Sequence, residues 1–272
     1  MIDQYLMKKI IVLFLTTLLT CNISLGQEIF DSSRLIKVLS FNILHGATTK
    51  GDFDLDAIAK VILDTDPDLV ALQEVDYLTN RAKKYDLVTE LGWRTKMSPI
   101  FGRAMPYDGG EYGEGVLSKF SFIQSRNIAL PCSPGNEQRA ALEVTTVIPS
   151  GDTISFIGTH LDHTKDETDR VSQVERINEA FKGNQYPTIL AGDLNATPGS
   201  LPIDILEKQW TSTYDRDDIQ PTYPSTIPIK KIDYIMFRPA TAWRVVETRV
   251  IKDPIASDHC AYLVTLELLK KD

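Results

Sequence analysis

Five stretches of the chain place chemically capable side chains directly after an apolar run: Asn42, Gln73-Glu74, Thr159-His160, Gly192-Asp193-Leu194-Asn195 and Ser257-Asp258-His259. Burying an unpaired carboxylate costs several kcal/mol, so such groups must be paired, solvated or holding a cation. A hard divalent cation such as Mg²⁺ takes oxygen ligands, usually one or two carboxylates with an amide, water and substrate phosphate. Asn42, Glu74, Asp193, Asn195 and Asp258 supply that chemistry without thiolates. His160 and His259 are then left to handle protons or to stabilise charge on phosphoryl oxygens. Asp233, in Lys231-Ile232-Asp233-Tyr234-Ile235, is placed to orient His259 and fix its tautomer. Singly, each has a plain structural reading: Asn42 as a turn cap, Glu74 as a surface charge, Asp193-Leu194-Asn195 as an Asx turn. Their combination points to hydrolysis of a phosphate ester.

Such residues need a framework that brings distant strand ends together. Apolar runs predict strands over 35–43, 68–73, 120–130, 139–148, 153–159, 187–191, 232–237, 245–251 and 261–268. Helical spacing is rarer. Leu55, Ile58, Ala59 and Ile62 share a face after Asp54, a cap candidate, and Val171, Val174, Ile177, Ala180 and Phe181 form a second stripe. A third helix is expected over 81–91 and a short one after Pro198. The strand–helix–strand stretch from Val38 to Glu74 is echoed from Phe156 to Asp193, with Asn42 and Glu74 32 positions apart and His160 and Asp193 33 apart. A crossover of about 30 residues makes its two strands parallel, so their polar ends emerge at one edge. Two such units predict a layered α/β fold whose strand ends share a polar cleft. Polar loops at 98–115, 131–138, 196–202 and 219–231 are too short for interdomain linkers, which predicts one domain.

Composition is that of an ordinary globular chain. The chain has 272 residues, is 43% hydrophobic and 24% charged, and carries 15 Gly and 14 Pro, which excludes collagen-like, disordered and disulfide-scaffold classes. Residues 1–26 read as an export signal. Lys8 and Lys9 precede an apolar run from Ile10 to Leu19, too short for the roughly 20 residues that span a bilayer, and Ser24-Leu25-Gly26 suits cleavage before Gln27. Periplasmic or extracellular placement follows, with lipid anchoring through Cys21 as an alternative. The remaining segment, 27–272, holds 27 basic and 36 acidic residues, a net charge of −9, and two cysteines, Cys132 and Cys260. Both read as buried free thiols, although an oxidising compartment would allow them to pair.

Seven stretches, Ser40-Phe41-Asn42, Leu72-Gln73-Glu74-Val75, Gly113 to Ser118, Thr159-His160, Gly192-Asp193-Leu194-Asn195-Ala196, Ile232-Asp233-Tyr234-Ile235 and Ser257-Asp258-His259, occur in this order over residues 40–259. In that order they resemble the endonuclease/exonuclease/phosphatase superfamily, which includes DNase I, abasic-site endonucleases, bacterial sphingomyelinases and inositol polyphosphate 5-phosphatases. The resemblance implies a four-layer α/β sandwich, two mainly antiparallel β-sheets face to face with helices outside, and the site along one edge. It implies a Mg²⁺ cofactor, with Mn²⁺ as a substitute, held by Glu74 with Asn42 and Asp258. It further implies that Asp193 and Asn195 orient water and phosphate, and that His259, held by Asp233, is a base or a phosphoryl-oxygen stabiliser. His160 matches the DNase I and sphingomyelinase branches, where abasic-site enzymes carry tyrosine.

Arg139 is a candidate phosphate contact, with a surface ion pair as its alternative. The segment Gly109 to Gly115 lacks the lysine of a nucleotide P-loop and reads as a flexible cleft wall. His163 reads as solvated, and Tyr223 and Trp93 as core or rim packing. The acidic balance and scattered Arg81, Arg103, Arg139 and Arg170 argue against a nucleic-acid groove, and no exposed apolar hairpin is evident that would dip into lipid. A phosphate-ester small molecule or lipid head group is the expected partner, with a secreted nuclease and a non-catalytic phospholigand-binding protein as alternatives.

Overall fold

The computed structural model describes residues 31–270. The segment 1–26 read as an export signal, with Cys21 and the expected cleavage point, lies outside these residues. Strands β1 (Leu35–Asn42) and β2 (Leu69–Tyr77) pair in parallel, joined through helix α1 (Leu55–Thr65). Asp54 caps that helix through its side chain, which accepts from the amides of Asp56 and Ala57. After helix α2 (Leu87–Thr95) come β3 (Ser98–Tyr107), β4 (Gly110–Ser118), β5 (Phe122–Ala129), β6 (Ala140–Val147) and β7 (Thr153–His160). Helix α3 (Thr168–Phe181) returns the chain to β8 (Thr188–Asp193), parallel to β7. Helix α4 (Leu201–Glu207), β9 (Thr211–Ser212), β10 (Asp233–Arg238), β11 (Trp243–Ile251) and β12 (Ala261–Leu268) complete the fold.

The strands make two six-stranded sheets, ordered β11-β12-β1-β2-β4-β3 and β5-β6-β7-β8-β10-β9. Ile36, Val38, Leu69 and Ala71 of the first sheet pack between the sheets against Phe156, Ile189, Ala191 and Ile235 of the second. The opposite faces are covered by helices. Ile58 and Ile62 of α1 and Leu91 of α2 bury Leu39, Phe41 and Leu72, whereas Val174, Ile177 and Phe181 of α3 bury Ile157 and Leu190. The result is the four-layer α/β sandwich expected from the sequence. Among the described residues, no helix is long and apolar enough to cross a membrane.

Three expectations need correction. The segment 98–115, read as a loop, is an edge hairpin of β3 and β4 turning at Asp108-Gly109. Pro99, Pro106 and its glycines disguise it, and Gly113 is there for proximity rather than flexibility: a Cβ on it would lie 2.1 Å from the Gly102 carbonyl oxygen. The helix expected over 81–91 starts at Leu87, because the Asp86 side chain accepts from the Thr89 amide and Lys83 and Lys84 adopt positive φ. Both cysteines are free, and Cys260 is buried as expected, but Cys132 is partly exposed.

Candidate active site

The parallel pairs bring their polar ends to the mouth of a cavity of about 770 Å³. Its wall includes Glu74, Arg139, His160, Asp193, Asn195, Asp258 and His259. Asn42 and Asp233 stand behind that wall. Asn42, at the end of β1, donates from Nδ2 to Glu74 Oε1 at 3.1 Å and to Asp193 Oδ2 at 3.2 Å. Glu74 projects from a bulge in β2, where the register against β4 shifts between Leu72 and Val75 and φ of Glu74 is 56°. Burial raises the Glu74 pKa, but the hydrogen bonds from His45 and Asn42 outweigh it and hold it below the ordinary carboxylate range.

The second pair carries the nitrogen chemistry. Arg139, 1% exposed just before β6, donates from Nη1 to Tyr112 Oη at 3.2 Å and to His160 Nδ1 at 3.1 Å. An arginine only donates, so His160 carries its ring proton on Nε2, directed at Asp193 Oδ2 3.4 Å away; the Asn195 side-chain nitrogen, 3.0 Å from the same Nε2, is then a contact and not a hydrogen bond. Burial, then the neighbouring Arg139 charge, keep His160 well below the ordinary histidine range, so the ring is neutral. The Asn195 amide donates to Asp193 Oδ1 at 2.9 Å and its side chain to the Leu161 carbonyl at 3.1 Å.

His259 is fixed from two sides. Its Nδ1 lies 3.1 Å from both oxygens of Asp233, and its backbone amide donates to Ser257 Oγ, which donates to the Asn42 carbonyl at 2.6 Å. Burial would lower its pKa, yet Asp233 and Asp193 push it up to about 10, so the ring is an imidazolium at neutral pH. Asp193 is raised as well, because it is buried, although the His259 charge opposes this. Burial also raises Asp258.

The match to the Endonuclease/Exonuclease/phosphatase family runs over residues 39–259. The chain belongs to this family. Solved structures with its fold include an endonuclease/exonuclease/phosphatase family protein from Bacteroides thetaiotaomicron, 20% identical over 87% of this chain and 98% of that one, TM-score 0.71. A mannosyl-6-phosphatase from Bacteroides thetaiotaomicron VPI-5482 is 19% identical over 86% and 100%, TM-score 0.69. The human Nocturnin catalytic domain with bound sulfate is 20% identical over 87% and 95%, TM-score 0.68.

Divalent-metal dependence is general in the endonuclease/exonuclease/phosphatase family, and the donor set here suits a hard cation: the Glu74 and Asp258 carboxylates face the cavity with no thiolate among them. Asp193, Asp233 and His259 also bring one ligand atom each within 4.8 Å, but His259 Nδ1 is already engaged by Asp233.

Several residues of the site escaped the sequence reading. Tyr112 and Glu114 of β4 were hidden in the Gly-rich segment. His163, expected to be solvated, is largely exposed but accepts from Arg139 Nη2 at 3.3 Å. Arg139 is buried against His160 and Tyr112, and it also makes the expected ion pair with an exposed carboxylate, Glu137, at 2.9 Å. Tyr223 is a rim residue whose ring centroid lies 4.8 Å from that of His259, whereas Trp93 is 78% exposed on the surface of α2. The loop closed by the Tyr223–Lys230 bridge exposes Ile227 and Ile229 at 74% and 71%. The sequence showed no such apolar tip because Pro224, Thr226 and Pro228 interrupt it.

Proposed function

We propose that this protein is an exported Mg²⁺-dependent phosphoesterase that cleaves a small phosphate ester by in-line attack of water. The observation that carries the reading is the convergence of an acidic pair, a neutral histidine and a charged histidine on one cavity. Glu74 and Asp258, with Asn42 behind them, would hold the cation, which when bound supplies Lewis-acid stabilisation of the phosphoryl group. The His259 imidazolium, oriented by Asp233, donates to a phosphoryl oxygen and offsets the charge that builds there in the transition state. Asp193 stays unprotonated between two histidines and, with its pKa raised toward neutrality, accepts the proton of the attacking water. Asn195, through its backbone bond to Asp193, keeps that carboxylate aimed. Neutral His160 presents Nε2–H to the phosphate, and Arg139 fixes the tautomer that makes this possible.

The cavity is larger than a phosphate group, and the likeness to a mannosyl-6-phosphatase supports a phosphorylated sugar as substrate. Ile227 and Ile229, exposed on the loop whose ends Tyr223 and Lys230 line the cavity, support a second reading, a lipid head group. The unbroken ligand set argues against a protein that only binds a phospholigand, and the charge balance argues against a nuclease.

The test is hydrolysis of p-nitrophenyl phosphate, bis(p-nitrophenyl) phosphate, mannose 6-phosphate and phospholipid vesicles with Mg²⁺, Mn²⁺ or EDTA. His259→Ala serves as the blank. Metal-dependent turnover that disappears in the variant is expected. Turnover in EDTA, or equal turnover in the variant, overturns the reading.

A further inference from the structure

Three of the chain's four histidines line the cavity, and the fourth, His45, does not. It nevertheless touches the carboxylate that does: His45 Nδ1 lies 3.4 Å from Glu74 Oε2. Asn42 holds the other oxygen, Oε1, at 3.1 Å. The backbone that aims His45 is unusual. Leu44, His45 and Gly46 have φ of 46°, 46° and 86°, three successive residues in the left-handed region, where a leucine and a histidine are disfavoured. The loop is tied to Asn42, whose Oδ1 accepts from the Leu44 amide at 3.1 Å. It is closed by the bonds of Gly46 to Ile43 and of Ala47 to Leu44. Position 46 admits no side chain, since a Cβ would lie 2.6 Å from the Phe53 ring. Asn42, His45 and Glu74 thus form a closed circuit in which one asparagine fixes both the carboxylate and the loop that delivers the imidazole to its far side.

We propose that His45 is a positioning residue for the cation site: its Nδ1–H donates to Glu74 Oε2 from behind, sets the plane of the carboxylate, and leaves its cavity-facing lone pairs to a divalent cation. This rests on the metal-site reading of Glu74 given above. An imidazole that only filled space would not need to meet the carboxylate oxygen, nor would a left-handed run be retained to bring it there. Losing a partner that orients a metal-binding group typically costs about 10–100-fold in metal affinity or activity.

The test is Mn²⁺ affinity of the purified protein by calorimetry and by electron paramagnetic resonance, for wild type, His45→Ala and His45→Gln, with thermal denaturation in EDTA as the folding control. Expected is a loss of affinity of about 10–100-fold in His45→Ala, with turnover at saturating Mn²⁺ near that of wild type. His45→Gln, whose amide can donate to the same oxygen, should recover most of the loss. Unchanged affinity in a folded His45→Ala overturns the proposal, as does a fall in apo stability alone. A ¹⁴N coupling to Mn²⁺ that vanishes in His45→Ala also overturns it, because His45 would then be a ligand. If wild type binds no Mn²⁺, the metal reading of the whole site fails with it; if wild type binds and His45→Ala binds equally, only the role of His45 fails.

Discussion

The two sheets are wired alike and loaded differently. Each runs, in the same order, through an antiparallel edge pair, a parallel pair joined by a helix, and a second antiparallel pair: β11-β12-β1-β2-β4-β3 against β5-β6-β7-β8-β10-β9. In the ladder Asn42 faces Gln73 in the first half, and His160 faces Asp193 in the second. The register equivalent of Asp193 is therefore the neutral Gln73, and the acid of the first half, Glu74, is the extra residue of a bulge. That one insertion separates two carboxylates that plain symmetry would have made alike. Asp193 keeps a side chain only 2% exposed and an upward-shifted pKa, whereas Glu74 is carried outward to 23% exposure and is held below the ordinary carboxylate range by the His45 and Asn42 hydrogen bonds. On the proposed function, one half supplies an anion for a cation and the other a carboxylate able to take a proton.

The sharpest way to break this comparison is to neutralise each acid in turn. Asp193→Asn should lower turnover by about 10²–10⁴-fold at any Mg²⁺ concentration, the range expected for a lost general base. Glu74→Gln should lose activity at low Mg²⁺ and regain part of it as Mg²⁺ is raised, because it removes a ligand rather than the base. Steady-state rates across a Mg²⁺ titration separate the two. If both variants respond alike to added Mg²⁺, the division of labour is wrong.

A second contrast lies one strand further out, where β4 and β10 occupy equivalent places in their sheets. Asp233 of β10 holds His259, whereas Glu114 of β4 is fully buried with neither carboxyl oxygen hydrogen-bonded among the described residues. Asp233→Asn should keep the fold but lower kcat by about 10²-fold or more, since His259 loses both its tautomer and its charge. Circular dichroism alongside the rate measurement checks this. A variant at full rate would show that His259 needs no orienting carboxylate.

The same contrast marks how far the sequence could be read. The parallel pairs were legible because each strand announces itself as an apolar run ending in Asn42, Glu74, His160 or Asp193, and the crossover length forces both ends to one edge. The bulge was not legible: Gln73-Glu74 reads as two alternating residues, and only the pairing with β4 shows that both stand opposite a single position. Arg139 was visible as a candidate but its partners were not, because His160 and Tyr112 reach it from distant segments. His45 lies three residues beyond Asn42, a spacing that carried no signal without the left-handed turn. The β3–β4 hairpin failed for a related reason, since its glycines are demanded by close strand contact, which no local pattern records.

Glu114 gives the smallest and most discriminating test. Burial raises its pKa well above 4.5, with Asp193 and Glu74 adding to the rise and Arg139 opposing it, so it is protonated in the folded protein. A carboxyl whose folded pKa exceeds its unfolded value costs nothing below the unfolded value. As pH rises through about 4.5 and beyond, the unfolded chain releases a proton that the folded one keeps, and stability falls. Glu114→Gln, of the same shape and always neutral, removes that cost. Its stability relative to wild type should be near zero at pH 4 and should grow by about 1.4 kcal/mol per pH unit above the ordinary carboxylate range, until Glu114 itself ionises in the fold. Urea denaturation in EDTA at pH 4, 6 and 7.5 measures the difference. A pH-independent difference would mean that Glu114 is ionised beside Arg139, and the first half would then contain a second permanent anion where the comparison allows only a neutral acid.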